Sequence, residues 1–221
     1  MRGAYSIKWN DVNELKNSGN VENCIGNTLV TFPKPGVYRL FIYGKLETMN
    51  FAQYTIDSIP VFGTKDFKFL SVDQWGENIW QSFDSFFYKC NNVRIIAKDA
   101  PNLSKVTSFS NTFCSALNFN SPLDHWDMSN VKFMTSMFHD AHKFNQSIGS
   151  WNVSSLVRAN SMFVDAYEFN QQLDEWDVSN VTRMGGMFSG AHKFNQNIEN
   201  WDVSNVKDMP YMFHYAYDFN T

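Results

Sequence analysis

Acidic residues recur beside the tryptophans of this chain: Asp124, Asp174 with Glu175, and Glu199. Two carboxylates in line across a glycosidic bond can hydrolyse it, one as acid and the other as base or nucleophile. The identities change from copy to copy, which favours a solvated face over a reaction centre. With their neighbours these residues make the candidate partner-binding surface: Asp124, His125, Asp174, Glu175, Glu199 and Asn200. His142 and His192 stand in "AHKFN" segments with Tyr167 at the intervening position. No His-Cys or His-Asp spacing there suits a metal, so they read as solvated loop histidines. Asp127, Asp177 and Asp202 follow a tryptophan, with Asn152 in the remaining copy. That is too few carboxylates for a calcium ladder and points to helix capping or turn bonding. Glycine-rich phosphate loops, nucleophile elbows and paired Cys/His motifs are absent from the sequence. No catalytic residue, metal or cofactor is assigned.

These side chains are placed by a repeat. Trp126, Trp151, Trp176 and Trp201 are 25 residues apart, as are Phe138, Phe163, Phe188 and Phe213. A Phe-Asn pair keeps the same step from Phe119-Asn120 to Phe219-Asn220. A degenerate copy precedes, with Val106, Phe109, Phe113 and Ala116, and Phe83, Phe87, Cys90 and Val93 fit at a step of 26. A stack of equivalent coils beginning near residue 66 follows. Val131, Met134, Phe138 and Ala141 fall at i, i+3, i+7 and i+10, which predicts a short helix. Ser129, Ser154, Ser179 and Ser204 stand where they would cap it. "FNQSIGSWNV" predicts a short strand that pairs in parallel with its neighbours. A single coil cannot bury both of its flanks, so the copies must stack. Asn120, Asn145, Asn170 and Asn195 would lie one above another and bond adjacent coils.

Composition narrows the function classes. Of 221 residues 43% are hydrophobic and 17% aromatic, which excludes a disordered chain. The net charge of −4, with no basic run, excludes a phosphate-tracking nucleic-acid binder. No apolar stretch is long enough to span a bilayer, and the start has no apolar signal segment. Cys24, Cys90 and Cys114 are odd in number and widely spaced, as expected of buried free thiols.

Residues 1–65 differ from the rest. "AYSIKW" and "GVYRLFIYG" alternate as strands, with Tyr38, Leu40 and Ile42 on one face. Pro35 and Gly36 signal a turn, and "DVNELKNSGNVENCIGN" reads as a loop or short helix. This small β module would cover the first coil, leaving 66–221 as the stack.

"FNQNIENWDVSNVKDMPYMF" resembles the repeat of BspA-like leucine-rich-repeat surface proteins, closely over 119–220 and loosely over 66–118. "YSIKWND…TFPKPGVYRLFIYGKL" resembles the end of a PKD-like module, with Trp9, Asn10, Asp11 and Val12 where that family carries Trp-Gly-Asp-Gly. The resemblance implies an α/β fold: a right-handed leucine-rich-repeat-like solenoid of about six strand-turn-helix coils after a small N-terminal β module. It further implies a non-catalytic binding or adhesion surface for a protein or glycan, on a cell surface or a virus or phage particle. A structural or decoration protein of such a particle is the alternative, and a glycan-active hydrolase the weakest reading. "DFNT" ends the sequence early in a further copy, so Ile198, Trp201, Val206 and Met209 are expected at an open edge suited to self-association.

Overall fold

The computed structural model describes residues 5–14, 16–24, 37–45, 49 and 70–220, with the backbone of 55–56 and 59–60. Pro35, Gly36 and the expected boundary at 65/66 lie outside the described residues. At the front, β1 (Tyr5–Asp11), β2 (Ser18–Cys24) and β3 (Tyr38–Gly44) form an antiparallel sheet in the order β2-β1-β3. β1 and β3 match the alternating stretches, and Tyr38, Leu40 and Ile42 face inward as expected. β2 corrects the loop-or-helix reading. Its polar residues pair with β1 from Asn10↔Ser18 to Tyr5↔Cys24. An edge strand with one solvated face needs little apolar content, and the tight β1–β2 connection supplies the rest. There Asp11 is buried and accepts from the amides of Asn13 (2.9 Å) and Glu14 (3.3 Å) and from Asn17 Nδ2 (3.3 Å). Trp9 packs edge-on against Tyr38 at 5.4 Å. Beyond the sheet come a two-residue hairpin, β4 (Thr55–Ile56) with β5 (Ile59–Pro60), and the parallel pair β6 (Ser71–Val72) with β7 (Arg94–Ile95).

The stack is present, but its coils are built differently from expectation. The described residues contain no helix, so the right-handed leucine-rich-repeat-like solenoid of strand-turn-helix coils is corrected to a helix-free stack of turns. An α-helix would send each amide to the carbonyl four residues back. Here alternate amides leave the coil: Met134, Ser136, Phe138 and Asp140 donate to the carbonyls of Arg158, Asn160, Met162 and Val164 at 2.8–3.0 Å. The amides between them, of Met137, His139 and Ala141, close turns onto carbonyls three residues back. Ser136 and Asp140 have φ near +55°, as do Ser161 and Asp165, which a right-handed helix excludes. A four-residue turn repeat buries Met134, Phe138 and Ala141 as a helix would, so the apolar spacing could not tell the two apart.

The expected strand is also corrected. Parallel bridges run instead through Ser108, Phe133, Arg158, Arg183 and Asp208, one residue per coil, in the segment read as helix. Across "FNQSIGSWNV" the coils are joined by side chains. Asn120 Oδ1 accepts from the Asn145 amide (2.9 Å) and from Gln146 Nε2 (3.0 Å), and Asn145 and Asn170 repeat the bond with the next copies. The indole N–H groups of Trp151, Trp176 and Trp201 donate to the carbonyls of Leu123, Ile148 and Leu173 at 2.9–3.0 Å.

Two columns of phenylalanine fill the interior. Phe113, Phe138, Phe163, Phe188 and Phe213 stack at 5.5–5.8 Å, and Phe119, Phe144, Phe169, Phe194 and Phe219 at 5.8–6.1 Å. Within a coil the columns meet, as Phe138 and Phe144 do at 3.8 Å. The first junction is one residue longer, with Phe87 donating to Thr112, in keeping with the step of 26. Cys24, Cys90 and Cys114 are buried free thiols, and burial pushes Cys90 up to about 12. Of the four residues expected at the open edge, Trp201 is buried, Ile198 and Val206 are half-buried and Met209 is exposed.

Trp176→Ala removes a buried ring and one inter-coil bond, and should cost about 3–5 kcal/mol in chemical denaturation. Asn145→Ala strands two donors of the next coil and should cost about 1–3 kcal/mol, whereas Asn145→Asp keeps the acceptor and most of the stability. Equal losses in the two Asn145 variants would contradict the ladder.

Candidate functional site

The surface beside the tryptophans is set by a turn. In each coil the Trp side chain goes inward and the two residues before it stay outside. Asp124, His125, Asp174, Glu175, Glu199 and Asn200 are therefore all exposed, at equivalent positions of three coils. Gly149 and Ser150 fill the same positions of the intervening coil, so Asp124 is separated from the other acids. The nearest ionic contact in the set is between sequence neighbours, His125 Nδ1 and Asp124 Oδ1, at 3.7 Å.

Asp127, Asn152, Asp177 and Asp202 do turn bonding. Each side-chain oxygen accepts from the amide two residues on, at Ser129, Ser154, Ser179 and Ser204, over 3.0–3.1 Å. The serines thus donate to a turn where helix caps were expected. An amide oxygen serves as well as a carboxylate, which is why Asn152 fits. In the acidic copies these bonds hold the carboxyls below the ordinary aspartate range, the Ser179 hydroxyl contributing most at Asp177.

The turn train presents a second face, three of whose residues the sequence reading noted without joining them. His142, Tyr167, His192 and Tyr217 stack in a ladder with ring centroids 4.3, 4.5 and 5.0 Å apart. The histidines read as solvated are half-exposed and also ring-stacked. Backbone bonds fix the ladder, since the carbonyls of His142, Tyr167 and His192 accept from Glu168, Lys193 and Asp218 at 3.1–3.2 Å. Beside it lie His139, Asp140 and, one coil on, Asp165, all half-buried. Glu168 takes Lys193 Nζ at 2.5 Å and Lys143 Nζ at 3.9 Å, which holds its carboxyl below the usual range. Further along the same face Tyr211, Tyr215 and Tyr217 are 59–74% exposed, with His214 packed on Tyr215 at 3.8 Å. The signal was available in the alternation His, Tyr, His, Tyr at a step of 25.

An open groove of about 650 Å³ is lined by Leu70, Arg94, Ile96, Asn118 and Pro122, and a second of about 570 Å³ lies on the sheet by Lys8, Trp9 and Tyr43. Neither groove gathers titratable side chains into a catalytic set. Among the described residues no helix is long and apolar enough to cross a membrane.

The sequence model of one family, described as Mycoplasma protein of unknown function, DUF285, matches residues 81–177 and 159–221. It replaces the expected BspA-like leucine-rich-repeat family, and the helix-free coils agree with that correction. The match starts after the N-terminal sheet. No curated protein and no solved structure matches the chain.

The Asp-Ser turns give a pH signature. A carboxyl depressed in the folded state stabilises above its unfolded value, about 3.9, and that contribution is lost as pH falls through the folded value. Asp177→Asn, which keeps the acceptor and loses the charge, should lower the thermal midpoint at neutral pH less than Asp177→Ala does, and should make it less sensitive to acid. A midpoint that fell equally in both variants would show that the charge, and not the acceptor, is what the turn uses.

Proposed function

The chain belongs to the DUF285 family, and we propose that it is a non-catalytic binding protein that presents a repeated surface to a protein partner on a cell or particle surface. The ladder of His142, Tyr167, His192 and Tyr217 carries this reading. Tyrosine is enriched where proteins meet, because it offers a large amphipathic contact with few torsions to freeze. Here the torsions are already restrained by stacking, so ordering on binding costs little. The inner rings, Tyr167 and His192, have their faces taken up by their neighbours, which leaves the Tyr167 phenol edge and the His192 imidazole edge for contact, while Tyr217 at the end keeps an open face. Edges with donors and acceptors suit polypeptide, whereas sugar rings pack on open aromatic faces. The acidic set at Asp124, Asp174, Glu175 and Glu199 lacks comparable order and has a subsidiary, electrostatic role in this reading.

Beads carrying the full chain, tested against panels of immobilised surface proteins and immobilised glycans, check the proposal. Binding to a protein in the panel is expected, weakened at least tenfold by Tyr167→Ala and by Tyr217→Ala. Asp174→Asn with Glu175→Gln should alter it less than threefold. Binding confined to glycans, or glycan hydrolysis abolished by the Asp174 and Glu175 changes, would overturn the reading.

A further inference from the structure

We propose a zinc-class divalent metal site on the turn face, formed by His139 and Asp140 of one coil and Asp165 of the next. One donor atom of each residue lies within 4.8 Å of the other two. His139 Nε2 is 3.7 Å from Asp140 Oδ2, and His142 Nε2 reaches the other oxygen of the same carboxylate at 4.0 Å. Tetrahedral zinc with bonds of about 2.0–2.1 Å sets its donors roughly 3.4 Å apart. The first pair is near that spacing, and half-buried side chains can rotate through the remainder.

The backbone holds the donors ready. Asp140 and Asp165 occupy equivalent positions with φ of 57° and 53°, so both carboxylates leave the backbone in the same sense. Their amides are tied to the carbonyls of Val164 (2.8 Å) and Ser189 (2.9 Å). A Cβ at the next equivalent position, Gly190, would overlap the Asp165 carboxylate, so glycine there leaves that carboxylate its place.

Two carboxylates stand one coil apart. Among the described residues no Lys or Arg pairs with either, the partners of Asp140 being His139, His142 and the Ser115 hydroxyl at 3.2 Å. Mixed imidazole and carboxylate donors select zinc and its transition-metal neighbours over magnesium and calcium, which take oxygen. His142 is held in its stack on Tyr167, 4.0 Å from the other Asp140 oxygen and outside the three-donor group, so water would complete the coordination. Spacing within one copy hid the site because its donors come from two coils.

Calorimetric titration of the full chain with zinc chloride, and with magnesium chloride for comparison, tests this site independently of any protein partner. One zinc per chain is expected, with magnesium at least a hundredfold weaker. His139→Ala and Asp165→Asn should each weaken zinc at least tenfold. His125→Ala, beside the tryptophans, should change nothing. Cobalt bound to the unaltered chain should show the strong visible absorption of a tetrahedral site, a readout that no variant's folding can affect. Absence of zinc binding, binding unchanged in both variants, or a weak octahedral cobalt spectrum would overturn the proposal.

Discussion

The structure depends on where alternate backbone amides of the turn train go. From Met134 to Asp140 every second amide crosses to the next coil, and those of Met137 and His139 close four-residue turns. The pattern repeats from Ala159, Ser161, Phe163 and Asp165 to Arg183, Gly185, Met187 and Ser189. A buried amide without a partner is costly, so a coil without its neighbour has half of these donors unsatisfied. This explains why the repeat length is kept without insertion through four copies. One extra residue within the turn train would put the crossing amides beyond it opposite the wrong carbonyls. At the first junction the extra residue lies outside the turn train, and the crossing register is kept: Phe87 donates to Thr112, the residue before Phe113, as Phe138 donates to Met162, the residue before Phe163.

Left-handed residues follow from the same constraint. Sharp turns every four residues require positive φ at two positions per coil, and non-glycine residues there cost about 1–3 kcal/mol each. Ser136, Asp140, Ser161, Asp165, Tyr211 and Tyr215 all accept that cost. The crossing bonds and the phenylalanine columns over-determine the conformation and offset it. On the other half of each coil the asparagine and tryptophan ladders do what the crossing amides do here. Backbone lacing, side-chain lacing and ring stacking thus act at the same interval and reinforce one another.

Much of this was legible from residues alone. Trp151, Phe138 and Asn145 announced their places because a period of 25 admits one explanation, a stack, and because apolar rings must go inside it. β1 and β3 were legible from alternation. The helix was misread because Val131, Met134, Phe138 and Ala141 satisfy both a helical stripe and a train of four-residue turns. What separates these is φ at Ser136 and Asp140, and serine carries no strong preference for the left-handed region. β2 escaped because its polar residues pair by backbone and need no apolar face. The His139, Asp140 and Asp165 cluster was missed because stacking brings Asp165 to the neighbouring pair His139 and Asp140 from 25 residues further along.

The functional readings share this frame. A surface written once per coil is held in register by bonds that also hold the core, so a face such as the His-Tyr ladder is rigid before any partner arrives. The central claim is therefore the crossing amide, and nuclear magnetic resonance can observe it directly. Scalar coupling transmitted through a hydrogen bond should connect the amide nitrogen of Phe138 with the carbonyl carbon of Met162. Coupling of Phe138 to the carbonyl of Met134, its partner in an α-helix, would contradict the account.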